Sequence, residues 1–141
     1  MEDRYLFKAK FDDSDRWVKG QLVEVNDTYL IIPNHAIKIL TGWFSASNII
    51  EVKKDTICQC TGLKDKNGNL IWENDIMVAH LDDNYPEDET YIRILWFWSG
   101  FCSIENGSKD ITPVDKFDQE HFEVIGNIFD NPELLRKRGI I

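Results

Sequence analysis

Short runs of alternating or β-branched apolar residues, broken at close spacing by Gly, Asn, Asp, Ser and Pro, cover most of the chain, and this period-two pattern constrains the fold most. Successive strand side chains point to opposite faces, so each run buries one face against something else. Tyr5, Phe7, Ala9 and Phe11 alternate with Leu6, Lys8 and Lys10, the pattern of a half-buried strand. Asp12-Asp13-Ser14-Asp15 then reads as a turn, because Asp and Ser side chains bond their own backbone. Trp17 and Val18 lead through Gly20 into Leu22–Val25; Asn26-Asp27 offers a second turn, and Pro33 ends a third run, Tyr29–Ile32. The first 33 residues therefore predict a meander. From Asn34 to Glu51 the pattern loosens, and His35, Gly42, Ser45, Ser47 and Asn48 mark a connection, with a module boundary near residue 50. This divides the chain into a β-rich N-terminal part, residues 1–50, and a second part, residues 51–141.

The second part repeats the pattern. Ile57–Leu63 and Leu70–Trp72 flank Asn67-Gly68, which predicts a hairpin with both turn residues at positive φ. Ile76–Ala79 forms another run, and Asp82–Glu89, with five acids and Pro86, reads as a solvated loop. Tyr91–Phe97 and Phe101–Ile104 flank Ser99-Gly100 as a second hairpin, with Asn106-Gly107-Ser108 as a further turn. Phe117–Phe122 suggests a helical turn and Val124–Phe129 a final strand. Asn131-Pro132 then starts a short terminal helix, with Asn as N-cap and Pro in the first position.

Composition narrows the function classes. At 141 residues with 43% hydrophobic and 12% aromatic residues, the chain has enough apolar surface to order itself without disulfides or metals. Its longest apolar run, Ile94–Trp98, is far short of the roughly 20 residues of a membrane-spanning helix. Met1-Glu2-Asp3-Arg4 opens no signal-like segment, so a cytoplasmic location without membrane association is expected. Of the net charge of −9, residues 51–141 carry −8. No basic cluster exceeds Arg136-Lys137-Arg138, which argues against direct nucleic-acid binding. Three cysteines cannot all pair within one chain, so reduced thiols are expected.

No constellation of residues declares a chemistry. Cys58-x-Cys60 lacks the second ligand pair of a zinc site and reads as two cysteines on one sheet face. His35, His80 and His121 are scattered, and Cys102 lies in an apolar run. Asp65-x-Asn67-Gly68-Asn69 departs from a calcium loop at Leu70 and Ile76 and reads as a turn, while Glu73 and Asp75 read as solvent-facing acids beside a turn. No cofactor and no metal is expected. Trp96-Phe97-Trp98 with Phe101 is the densest aromatic cluster. On one strand, Trp96 and Trp98 would share one face and Phe97 would take the other, with one of the two faces packed into the core and an exposed strip that anchors a partner as the alternative. Trp72, Trp96 and Trp98 are the candidate partner-binding residues. The acidic run Asp82–Glu89 could also mimic nucleic-acid phosphates.

Three blocks in order give the chain a relative. Gln59-Cys60-Thr61-Gly62-Leu63-Lys64-Asp65-Lys66-Asn67-Gly68, Ile71-Trp72-Glu73-Asn74-Asp75-Ile76, and Glu123-Val124-Ile125-Gly126-Asn127-Ile128-Phe129-Asp130-Asn131-Pro132-Glu133-Leu134-Leu135 resemble the YopX family of phage and prophage proteins. Phe7-Lys8-Ala9-Lys10 and Trp17-Val18-Lys19-Gly20 match its N-terminal half more loosely. Asn74 stands where the family usually has Gly, but Asn tolerates left-handed conformations, so the turn should persist. The resemblance implies a C-terminal SH3-like small barrel and a phage or prophage origin; it implies no activity. The expected fold is thus mainly β, with that barrel following a β-rich N-terminal part and a short helix at the C-terminus. The expected function is a non-catalytic protein-interaction module with an unidentified protein partner that also forms a homo-oligomer. The alternatives are an acidic inhibitor or nucleic-acid mimic acting on a host factor and, third, an enzyme.

Overall fold

The computed structural model describes residues 5–33, 49–105 and 108–138, without the side chains of residues 136–138. Most of the expected connection after Asn34, and the Asn106-Gly107 step, lie outside the described residues. Packing divides the chain into two compact units, Met1–Cys60 and Thr61–Ile141. Strands are antiparallel throughout, in a six-stranded sheet of order β4-β3-β2-β1-β5-β6 and a five-stranded sheet of order β10-β9-β8-β7-β11, the division falling inside β5.

In the first unit, β1 (Phe7–Lys10), β2 (Trp17–Val25) and β3 (Thr28–Pro33) form the expected meander, which β4 (Ile50–Glu51) and the start of β5 (Cys58–Lys64) extend. Asn26 and Asp27 take φ of 50° and 65° between the paired Val25 and Thr28. Two positive φ values in a two-residue loop match the right-handed strand twist, hence the tight turn. Ala9, Val18, Ile31 and Val52 form this unit's core, with Ile50 and Ile57 packed against it. Residues 50–60 stay with this unit for that reason, and because Phe7 and Lys8 pair with Gln59 and Cys58. Lys8 and Lys10, on either side of the fully buried Ala9, are themselves buried. Their ammonium groups lie 4.8 and 5.4 Å from the centre of the Trp17 ring, so an aromatic face replaces part of their hydration.

The second unit holds β6 (Leu70–Trp72), β7 (Asp75–Ala79), β8 (Thr90–Phe97), β9 (Gly100–Glu105), β10 (Ile111–Pro113) and β11 (Glu123–Asn127), with helices α1 (Lys116–His121) and α2 (Pro132–Arg138). β7 lies between β8 and β11 and buries all five residues, so after Asp75 it reads as a continuous apolar run, Ile76–Ala79, and not as an alternation. Met77, Ala79, Ile92 and Ile94 on one face pack with Phe122, the C-cap of α1. Ile76, Val78 and Tyr91 on the other pack with Leu135 of α2. The SH3-like closed barrel expected here is not formed. Among the described residues the sheet is open, with β10 and β11 at its edges, and β10 ends on Pro113, which has no N–H to offer a further strand.

Turn chemistry sets the connections. Between β5 and β6 only Gly68 has positive φ, 84°, and Asn67 does not, correcting the expected pair. Asp65 imposes the difference: its carboxylate accepts the N–H groups of Asn67 and Asn69 and, 59 residues on, that of Val124, each at 2.9 Å. Asn74 does adopt a left-handed φ of 72°. α1 begins with a reciprocal capping box between Asp115 and Asp118. α2 starts at Pro132 as expected, but the Asn131 side chain accepts the Asn127 N–H, and the Asn131 carbonyl accepts the Leu134 N–H. A Cβ at Gly126 would collide with the Asn131 side chain, so only glycine admits this contact. No described helix is long and apolar enough to cross a membrane.

Candidate functional site

The aromatic run sits at the free end of the β8–β9 hairpin. Pairing with β7 runs out opposite Arg93, and the Asn74 N–H bonds the Ile94 carbonyl; beyond that point β8 has no neighbour on its β7 side, while β9 keeps β10 beside it as far as Cys102 opposite Pro113 and the Val114 N–H on the Phe101 carbonyl, so the β8–β9 arm is open along one edge and at its tip. The core face of β8 therefore stops at Ile94, fully buried, and Trp96 and Phe97 are 48% and 42% exposed. The strand ends at Phe97, opposite Gly100, and Trp98 occupies the turn, 86% exposed. The expected sharing of one strand face by Trp96 and Trp98 is thus overturned, because Trp98 is no longer on the strand. Trp96 meets its cross-strand partner Phe101 edge to face at 4.9 Å, and Phe97 meets Trp98 at 6.1 Å. Trp98 has φ of 61°. Positive φ at the first residue of a two-residue loop is a glycine position, so a bulky aromatic there carries backbone strain on the order of 1 kcal/mol. Trp72, the third candidate, is only 5% exposed, and its N–H donates to the Asp75 carboxylate at 2.7 Å. It belongs to the interior.

A second feature, absent from the sequence reading, lies on the face of this sheet that carries Ile92 and Ile94. A cavity of about 280 Å³ opens between β8, β9, β10 and α1. Ser103 and Thr112 supply hydroxyls 3.5 Å apart, Glu105, Asp110 and Asp118 supply carboxylates, and Phe117 and Phe122 supply apolar wall. Burial pushes the Asp118 carboxyl above its ordinary value; the charge of Asp115 adds to the rise, and the Asp115 N–H opposes it. Phe117 stacks on His121 with ring centres 4.1 Å apart. The lining residues come from five separate segments and share no motif, so no local signal could have grouped them.

The remaining sequence candidates are absorbed by structure. Cys58 and Cys60 are both fully buried on one side of β5, as their spacing predicts, and the Cys102 thiol points at the Gly100 carbonyl. Asp75 is 2% exposed and closes the β6–β7 turn, so it does not form the solvent-facing acid expected beside Glu73. The Asp65 carboxylate is occupied by backbone N–H groups. Among the described residues no three His, Cys, Asp or Glu side chains converge as metal ligands. Asp82–Glu89 is exposed throughout and shaped by local turns, with the His80 ring 2.8 Å from the Pro86 carbonyl.

The fold and the arm define a class, a mainly antiparallel β protein of two sheets with an aromatic-tipped hairpin. The chain belongs to the YopX family: the family model described as YopX protein matches residues 6–136. It is similar to the crystal structure of protein EF1440 from Enterococcus faecalis, with a TM-score of 0.51 and 24% identity over 92% of this chain and 96% of that one. That likeness concerns the fold alone. No curated protein sequence matches the chain.

Proposed function

We propose that this chain is a non-catalytic interaction module of phage or prophage origin that holds a macromolecular partner through the β8–β9 arm. The observation carrying this reading is Trp98, 86% exposed at a φ of 61°. An indole in solvent on a strained backbone gains nothing for folding, and strain of this kind clusters where a surface is used. Trp is also among the residues that dominate binding hot spots, and Trp96, Phe97 and Phe101 surround it with further apolar surface. Capture from host lysate with the full chain tests it. Trp98→Gly should weaken a captured partner by on the order of 30-fold, the equivalent of a hot-spot residue. Neutralising the acids of Asp82–Glu89 should mainly slow association and reduce its salt dependence. The reverse pattern would favour an acidic mimic acting on a host factor, and turnover of any substrate would displace both readings.

A further inference from the structure

Asn67-Gly68, one of two Asn-Gly steps in the chain, sits exposed at the tip of the β5–β6 hairpin, and a Cβ placed on Gly68 would meet nothing within 4 Å. At such a step a peptide chain can modify itself. The glycine nitrogen loses its proton to water or hydroxide and attacks the asparagine Cγ, the new C–N bond closes a cyclic imide, and the side-chain nitrogen takes up a proton and leaves as ammonia. Water then opens the imide at either carbonyl, leaving Asp or its β-linked isomer. No cofactor or oxidant takes part, and glycine has no side chain to crowd the attack. Water reaches Asn67 and Gly68 freely, so burial does not protect them. Hydrogen bonds hold the reacting atoms instead. The Gly68 N–H, whose proton must leave, donates to the Asp65 carbonyl at 3.0 Å. The Asn67 Nδ2, which must depart, donates to Glu123 Oε2 at 2.9 Å, 56 residues along the chain. The Asn67 N–H is held by Asp65 Oδ1 at 2.9 Å, and Gly68 is set at a φ of 84°. A proton bonded to an acceptor is harder to remove, so the Gly68 nitrogen is a poorer nucleophile than in a free chain. The precursor of the imide carries negative charge on oxygen, and the neighbouring carboxylates of Asp65 and Glu123 disfavour that charge.

We infer that Asn67-Gly68 is a latent self-modification site, held shut by Asp65 and Glu123 while the β5–β6 turn stays bonded to β11 and released when that contact opens. The site is independent of the β8–β9 arm and of what the arm binds. Its reaction runs one way. The product places a carboxylate where the Asn67 amide donated to Glu123, which turns an attraction into like-charge repulsion. The β-linked isomer also adds a backbone atom to a turn whose Asn67 and Asn69 N–H groups both reach Asp65 Oδ1. Modified chains therefore re-form the tie between this turn and β11 less well than the original.

The test follows deamidation of the full chain by peptide mass mapping in mildly alkaline buffer, folded and in urea. In urea Asn67 and Asn106, each followed by Gly, should convert at similar rates, which sets the unrestrained pace. In the folded chain Asn67 should convert at least about tenfold more slowly than in urea, since the reaction waits on local opening. Glu123→Ala removes the acceptor of Asn67 Nδ2, and folded-state conversion of Asn67 should rise about threefold with the urea midpoint little changed. Glu123→Gln keeps an acceptor oxygen and should fall between. Folded and urea rates that agree, or a Glu123→Ala rate equal to that of the wild type, overturn the assignment. A rate rise matched by an equal loss of global stability would also overturn it, because protection would then belong to the fold as a whole. Asn67→Asp, one of the two products, should lower the urea midpoint and speed amide exchange at Asn69, and wild-type values for both would refute the one-way loss of the turn.

Discussion

Replacing Asp65 by Ala or by Asn tests whether one buried carboxylate ties the β5–β6 turn to β11. Asp65 is 5% exposed, and its two oxygens divide the work: Oδ1 accepts from Asn67 and Asn69 within the turn, Oδ2 from Val124 across 59 residues. In Asp65→Ala all three N–H groups lose a charged acceptor. Asn67 and Asn69 are exposed, so water takes over and each loss costs about 0.5 to 1 kcal/mol. The Val124 N–H, partly buried, costs about 1.5 to 3 kcal/mol because water reaches it poorly. The sum is about 2.5 to 5 kcal/mol, a shift of roughly 1 to 2.5 M in the urea midpoint at a denaturant dependence of about 2 kcal/mol/M. Asp65→Asn keeps one acceptor oxygen and places an NH₂ against a donor, so it should lose only one of the two contacts and about 2 kcal/mol. Amide hydrogen exchange separates the arms, because Val124 should lose protection in both variants, whereas Asn67 and Asn69 should change in Asp65→Ala alone. Equal midpoints for the two variants, or a loss below about 0.5 kcal/mol in Asp65→Ala, would refute the division of roles.

Trp98→Gly relieves backbone strain without touching a core residue, so the denaturation midpoint should stay level or rise slightly while partner capture falls. A clear loss of stability would mean that the indole serves the fold. Gly126→Ala should destabilise by about 1 to 3 kcal/mol by displacing the Asn131 side chain from its contact, and a combined Gly126→Ala, Asn131→Ala variant should recover part of that loss in chemical denaturation. Because burial raises the folded-state pKa of Asp118, its protonated form favours the fold: stability from this group is present below the ordinary value of 3.8 and is lost as pH rises through the raised one. Asp118→Asn should therefore gain on the wild type as pH climbs across that window, and parallel stability curves against pH would contradict it.

Local grammar was legible from the residues. The short alternating or apolar runs located β1 to β3 and β6 to β9 to within a residue or two. Asn26-Asp27, Gly68 and Asn74 marked turns that the backbone does make, because the conformations these residues tolerate are properties of single residues and their neighbours. The YopX resemblance rests largely on such positions, Gly68, Asp75, Gly126 and Asn131 among them, each of which makes a turn or admits a close contact. What lay beyond reach was whatever depends on which strand lies beside which. β1 pairs with β5 and β7 with β11 across long stretches of sequence, and that neighbourhood leaves the second sheet open where a barrel was expected. The point at which β7 stops beside β8 exposes Trp96, Phe97 and Trp98, while the turn after β6 draws Trp72 inward. The acidic cavity exists only because β9, β10 and α1 converge on one sheet face. Pattern and turn residues act over a few positions, so strands and turns can be read along the chain; burial acts between segments distant in the chain, so which aromatics meet solvent and which carboxylates line one cavity follow from packing.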